Sequence, residues 1–171
     1  MSLNPPVSKK DHLQGSKNAS VELVEYGDYQ CPYCGEAYPL IKIIQQEMGN
    51  DLKFIFRNFP LRKIHPDALN AAIASEAAGI EGKFWEMHDM LFENQRRLNP
   101  NSILRYANEL DLDIKQFEKD LADPEIEKKV LDDFYSGMRS GVNATPTFFV
   151  NGEKYDQDWR SKRFLEFLKK L

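Results

Sequence analysis

The chain of 171 residues holds two cysteines, Cys31 and Cys34, and their placement constrains it more than any other feature. A disulfide stabilises largely by closing a loop of the unfolded chain, and the loop between these two is about as small as one can be. The pair adds little as a staple. A chain of this length also buries enough apolar surface to fold as one domain without staples. The spacing therefore points to chemistry, either redox exchange or half of a metal site, against the bland reading of two buried structural thiols. Zinc needs about four ligands, and His12, His65 and His88 stand at no ligand spacing, so no metal is implied.

What flanks the pair fixes the class. Val21, Leu23 and Val24 lead through Tyr26 to a Gly27-Asp28 turn signal, which reads as a buried strand. After the cysteines, Ala37, Leu40, Ile41, Ile44 and Met48 recur at helical spacing, and Gly49-Asn50 supplies a stop. Lys53 to Phe59 is a second, aromatic-rich strand ended by Pro60, which makes a βαβ unit with parallel strands. Helices are then expected from Pro66 at a first helical position, over Lys83 to Arg97, Ser102 to Leu110, Ile114 to Leu121 and Pro124 to Arg139. Strand signals return at Thr147 to Val150, Asn151-Gly152 offers a hairpin turn, and Phe164, Phe167, Leu168 and Leu171 mark a final helix from near Ser161.

The class is thus α/β, in the order β-α-β, helical block, β-β-α. Residues 1–19, polar and without hydrophobic period, read as a flexible leader. Residues 20–62 and 140–171 read as one sheet-based domain and 63–139 as an all-helical insertion between its halves. Phe84, Trp85, Met87 and Met90 in that insertion read as core, with an apolar substrate groove as the alternative.

Charge excludes other classes. With 23 Lys+Arg against 27 Asp+Glu, a net −4, and no basic cluster, the electrostatic footprint of a nucleic-acid binder is missing. No apolar run approaches the ~20 residues of a membrane-crossing helix, so no membrane insertion is expected, and residues 1–20 lack the apolar stretch of a signal peptide.

Cys31-Pro32-Tyr33-Cys34 lies between a strand and a helix. A thiol in the first helical turn faces unpaired N–H groups and the positive end of the helix dipole, which favour the thiolate. Only the thiolate attacks a disulfide. Pro32, without an N–H, suits the early helix, and the three-residue spacing keeps both sulfurs on one side. Cys31, at the loop edge, is expected to be the exposed nucleophile, and Cys34, one turn in, the resolving thiol.

These residues resemble the thioredoxin superfamily and, within it, DsbA-like thiol-disulfide oxidoreductases. Glu25, six residues before Cys31, matches the buried acid that such folds place beneath the redox pair. Pro39, eight after it, matches the proline that kinks the active-site helix. Thr145-Pro146-Thr147 resembles the cis-proline loop that faces the cysteines. Phe56-Arg57-Asn58-Phe59-Pro60-Leu61, His65, Gly82-Lys83-Phe84-Trp85 and His88 resemble the strand end and insertion of DsbA-like proteins. Pro32-Tyr33 is like the pair in glutaredoxins, and Thr145 before the proline is like isomerases and reductases of the superfamily. Both positions bear on redox poise.

The resemblance implies a thioredoxin fold and exchange of the Cys31–Cys34 disulfide with cysteine-containing polypeptide substrates. Thr145 and Pro146, with Pro32 and Tyr33, would contact the substrate, and Glu25 would relay the proton of Cys34. No dissociable cofactor is implied, and a redox partner must reset the pair. A glutathione-linked reductase or transferase and a non-redox binding or chaperone module are the alternatives. The expected compartment is extracytoplasmic, with the signal peptide absent from this chain; the cytoplasm is the alternative.

Overall fold

In the computed structural model, which describes residues 1–171, the strands β1 (His12–Gly15), β2 (Val21–Gly27), β3 (Leu52–Asn58), β4 (Thr147–Val150) and β5 (Glu153–Lys154) form one sheet in the order β1-β3-β2-β4-β5. Strands β2 (Val21–Gly27) and β3 (Leu52–Asn58) are parallel, with Val21 opposite Leu52, and the helix α1 (Pro32–Met48) joins them. Strand β4 (Thr147–Val150) runs antiparallel to β2, and β5 (Glu153–Lys154) antiparallel to β4. The hairpin turn at Asn151-Gly152 has φ of 47° and 82°, the positive pair that this two-residue turn requires.

Side chains alternate across the strands. Leu23, Phe54, Phe56, Phe148 and Val150 face the larger core with Ile41 and Ile44 of α1 and Phe164 of the last helix, α7 (Lys162–Leu168). Val24, Tyr26, Ile55 and Phe149 face a smaller core closed by Leu3, Phe59 and Val142. Glu25 therefore points to the larger core, with Phe56 and Phe148 opposite it on the neighbouring strands.

Between β3 and β4 lie α2 (Ala68–Ile80), α3 (Phe84–Glu93), α4 (Pro100–Glu109), α5 (Ile114–Leu121) and α6 (Pro124–Arg139). Alanine-rich α2 packs against all four others, as small side chains permit. Three helices depart from the expected bounds, α4 by starting at Pro100 rather than Ser102, with the Asn99 side chain capping it on the Ser102 N–H at 3.0 Å. Helix α2 begins at Ala68 rather than at Pro66 because Gln30 and Asp67 exchange hydrogen bonds of 2.7 and 3.2 Å, tying this turn to the loop before α1. Helix α3 ends at Glu93 rather than near Arg97, where Asn94 turns its side chain back onto the Met90 carbonyl at 2.9 Å. Phe84 and Met87 are buried, and Trp85 and Met90 pack half-buried against the same core.

The expectation of a flexible leader over residues 1–19 is corrected. His12–Gly15 form the edge strand β1, antiparallel to β3 with His12 opposite Phe56. Leu3 is buried, and Arg57, itself buried, binds Asp11 and the carbonyls of Pro5 and Pro6. A backbone ladder and a buried charge hold this segment, so no apolar period announces it.

Candidate active site

Strand β2 ends in a turn whose anchor is Asp28, 1 % exposed. Its Oδ1 accepts the N–H groups of Gln30 at 2.8 Å and Cys31 at 3.2 Å. Its Oδ2 accepts the Leu61 N–H at 2.9 Å and faces His65 Nδ1 at 2.8 Å. One carboxylate thus joins the loop before α1 to the loop after β3, where a buried acid finds all its partners.

Cys31 is the N-cap of α1 in an extended conformation, with Pro32 next, and Pro39 lies inside the helix. Both cysteines are free thiols. The Thr145–Pro146 peptide is cis, and the Thr145 carbonyl accepts from Cys31 Sγ at 3.5 Å. Cys34 Sγ accepts the Asp28 N–H at 3.4 Å. The expectation of an exposed Cys31 is corrected: it is 4 % exposed and Cys34 0 %, with the Thr145 loop against the sulfur. Cys31 is still the more accessible of the two.

The electrostatics separate the thiols. The Cys34 thiol as donor, then Thr145 and the N–H groups of Cys34 and Tyr33, outweigh burial and draw Cys31 down to about 5 from 9.0. The carbonyl of Thr145 receives the proton of the thiol form, whereas its hydroxyl, buried and otherwise unpartnered, is free to donate to the thiolate. Burial, the bond to Cys31 and the charge of Glu25 push Cys34 well above 9.0. Glu25, 2 % exposed and with Oε1 unpartnered, is pushed up to about 8 by burial and by the Cys31 charge.

Pro32 and Tyr33 face solvent, and Arg160 lies over the Tyr33 ring at 5.0 Å while binding Glu36 at 3.2 Å. Beyond these expected residues, Gln95 reaches in from the turn after α3 and donates to the carbonyls of Tyr29 at 3.0 Å and Cys31 at 2.6 Å. Asp28 and Gln95 were not found from sequence. Asp28 gave only a turn signal, and the partners of Gln95 lie more than sixty residues away. His88 is buried and neutral, burial holding its imidazole well below the ordinary value, and it pairs with the Tyr29 hydroxyl at 3.0 Å. No three His, Cys, Asp or Glu side chains converge as metal ligands, and no helix is long and apolar enough to cross a membrane.

Comparisons with known proteins give the family and the fold. A family model described as thioredoxin matches residues 7–170. The structure is similar to oxidised BdbD from Bacillus subtilis, with a TM-score of 0.83 at 27 % identity over 97 % of this chain and 96 % of that one. It is equally similar, with a TM-score of 0.83 at 25 % identity over 95 % and 92 %, to a thioredoxin-like oxidoreductase from Silicibacter pomeroyi. In sequence it is 44 % identical over 146 residues to Na(+)/H(+) antiporter NhaA 1 of Salinispora arenicola, covering 85 % of this chain and 22 % of that protein. The corresponding protein of Mycolicibacterium vanbaalenii is 39 % identical over 168 residues, 97 % of this chain and 27 % of its own length. The chain spans about a quarter of these curated relatives. With the family matched almost end to end and the cysteine pair at the start of α1, the chain belongs to the thioredoxin superfamily and has the DsbA-like thiol-disulfide oxidoreductase fold.

Proposed function

We propose that the chain is a protein thiol-disulfide oxidoreductase that donates the Cys31–Cys34 disulfide to substrate cysteines. The observation that carries this is the placement of the thiols: Cys31 caps the start of α1 with its sulfur against the Thr145 carbonyl of the cis Thr145–Pro146 loop, and Cys34 is sealed one turn in, an arrangement that holds Cys31 down to about 5 and raises Cys34. A substrate thiolate attacks Cys31 Sγ, the Cys31–Cys34 bond breaks, and Cys34 leaves with the electron pair and is protonated. A second substrate thiolate then attacks the substrate sulfur of the mixed disulfide, and Cys31 leaves as thiolate. The substrate loses two electrons and the enzyme gains them. A low leaving-group pKa speeds that last step and stabilises the reduced pair, which favours this direction. A redox partner then restores the disulfide.

Glu25 fits the proton relay, since a carboxyl at about 8 exchanges protons near neutral pH. The cis Thr145–Pro146 loop offers backbone to an extended substrate beside Cys31, and Pro32 and Tyr33 form the solvent-facing edge. A cavity of about 290 Å³ lined by Pro60, Leu61, Arg62, Lys63, Ile64 and Phe134 adjoins the loop bonded to Asp28 and suits apolar substrate side chains. The working compartment in this reading is extracytoplasmic, as the DsbA-like resemblance implies. Antiport belongs to the names of relatives of which this chain matches about a quarter, and the cysteine pair does not depend on it.

The test is the reduction potential against glutathione, with Cys31→Ser and Cys34→Ser beside the parent. A potential nearer −120 mV than −270 mV, on the approximate scale set by DsbA and thioredoxin, supports donation of the disulfide. A value near −270 mV reverses the direction. Cys34→Ser should trap mixed disulfides with polypeptides, and Cys31→Ser should abolish exchange. Faster turnover with glutathione than with a reduced protein would make it a glutathione-linked enzyme instead.

A further inference from the structure

We propose that Gln95 is the positioning residue through which the helical insertion holds the redox turn, gathering two backbone carbonyls on one amide so that Cys31 presents its sulfur to Thr145 and Cys34. The inference rests on the oxidoreductase reading and adds a residue to it. Gln95 Nε2 carries two hydrogens, and both are used, on Tyr29 O at 3.0 Å and Cys31 O at 2.6 Å. Cys31 O also accepts the Gly35 N–H at 3.1 Å, so the first carbonyl of α1 has both lone pairs engaged. The N–H groups that point at the sulfur, those of Tyr33 and Cys34, follow directly on the second of these carbonyls.

The reach is set from both sides. On α1, a side chain at Gly35 would overlap Gln95 Oε1, so the glycine after Cys34 leaves the space the amide fills. On the insertion, α3 is fastened along α1 by Lys42–Asp89 at 2.7 Å, by Tyr38 to Glu93 at 3.1 Å and by stacking of Tyr38 on Phe92 at 5.3 Å. Asn94 then closes the helix on Met90, and the following residue is delivered to the redox turn. Without the amide, the Tyr29 carbonyl loses this donor and the Cys31 carbonyl keeps only the Gly35 N–H, and the turn is free to rotate the first-turn N–H groups off Cys31. The thiolate then loses the bonds that favour it over the thiol.

Gln95→Met keeps the length of the side chain and removes the donors; Gly35→Ala expels the amide from the other side. In each, Cys31 is followed by its thiolate ultraviolet absorbance against pH and by alkylation rate, with circular dichroism and thermal melts as the check on folding. Each variant should raise the Cys31 pKa by about one unit or more and slow the release of Cys31 from a mixed disulfide, the step in which it is the leaving group. The double variant should be no worse than either single one, because both remove the same contact. A Cys31 titration in folded Gln95→Met that overlays the parent would overturn the proposal, as would full additivity in the double variant. Should Gln95→Met fail to fold, Gly35→Ala carries the same titration alone, and an unshifted Cys31 there overturns it. A parent protein inert in disulfide exchange would sink the oxidoreductase reading, whereas the titrations would still decide the role of Gln95.

Discussion

Glu25 and Cys31 hold charge states opposite to those of the unfolded chain. Between about pH 5 and 8 the folded, reduced protein has Cys31 ionised and Glu25 protonated, while the unfolded chain has the reverse. A lowered Cys31 contributes stability that is present above its unfolded value of 9.0 and is lost as pH falls through about 5. A raised Glu25 does the opposite for an acid, imposing a penalty that grows as pH rises from 4.5 to about 8. Across that window the slopes from these two groups cancel, and the remaining pH dependence comes from other buried groups such as His88, whose neutral form in the fold adds stability as pH rises toward its unfolded value of 6.5. Glu25→Leu removes one slope. Denaturant titrations should show the stability of the reduced variant, relative to the reduced parent, rising by roughly 1.4 kcal/mol per pH unit from about 5 to 8, and a difference that does not change with pH would contradict the assignment. The same variant should slow the proton-dependent release of Cys34 while leaving alkylation of Cys31 intact. Cys31 and Cys34 stood out by their spacing between a strand and a helix, and Glu25 and Pro146 only through the resemblance to the thioredoxin superfamily, which the buried carboxyl and the cis peptide fit. Asp28 and Gln95 did not stand out, because a carboxylate with partners at Leu61 and His65, or an amide reaching Tyr29 from position 95, leaves no local periodicity.

At the scale of elements, hydrophobic period revealed β2, α1, β3, β4 and the helices of the insertion, since each buries one face. Strand β1 has no such face to show. It is held by pairing with β3 and by the Arg57 guanidinium, 3 % exposed, which binds Asp11 at 2.7 and 3.1 Å, two proline carbonyls and the Tyr26 hydroxyl. Burial raises the Asp11 carboxyl, but the bond and charge of Arg57 outweigh it and hold the group below 3.8. That stability is present above the unfolded value and is lost as pH falls through the folded one. Asp11→Ala strands a buried cation and should cost about 3–5 kcal/mol, whereas replacing Asp11 and Arg57 together by apolar residues of similar size should cost far less. Urea midpoints of the three proteins measure this, and hydrogen exchange of the β1 amides should accelerate first in the single variant. A loss below about 1 kcal/mol in Asp11→Ala, the range of an exposed pair, would show that the N-terminal segment is not clamped as described.

Across the whole molecule, the redox state of two side chains is linked to the stability of the entire fold. The Cys31–Cys34 disulfide closes too short a loop to stabilise by chain entropy, and forming it removes the thiolate that the start of α1, Thr145 and Cys34 favour. The sheet, α1 and the insertion converge on that thiolate, so the reduced protein is the better-satisfied form. At about pH 7 the reduced form should be more stable than the oxidised one by about 2 kcal/mol, with the gap narrowing as pH falls toward about 5, where the thiolate is protonated. The sign follows from a lowered acid: the benefit is full above the unfolded value of 9.0 and fades through the folded value of about 5. Thermodynamic linkage makes this gap and the tendency to donate the disulfide one quantity seen twice. Paired melts of the oxidised and reduced protein at both pH values, set beside the potential against glutathione, therefore close a cycle. An oxidised form more stable than the reduced one at neutral pH would remove the driving force for donation, and the chain would then act as a reductase with the same cysteines.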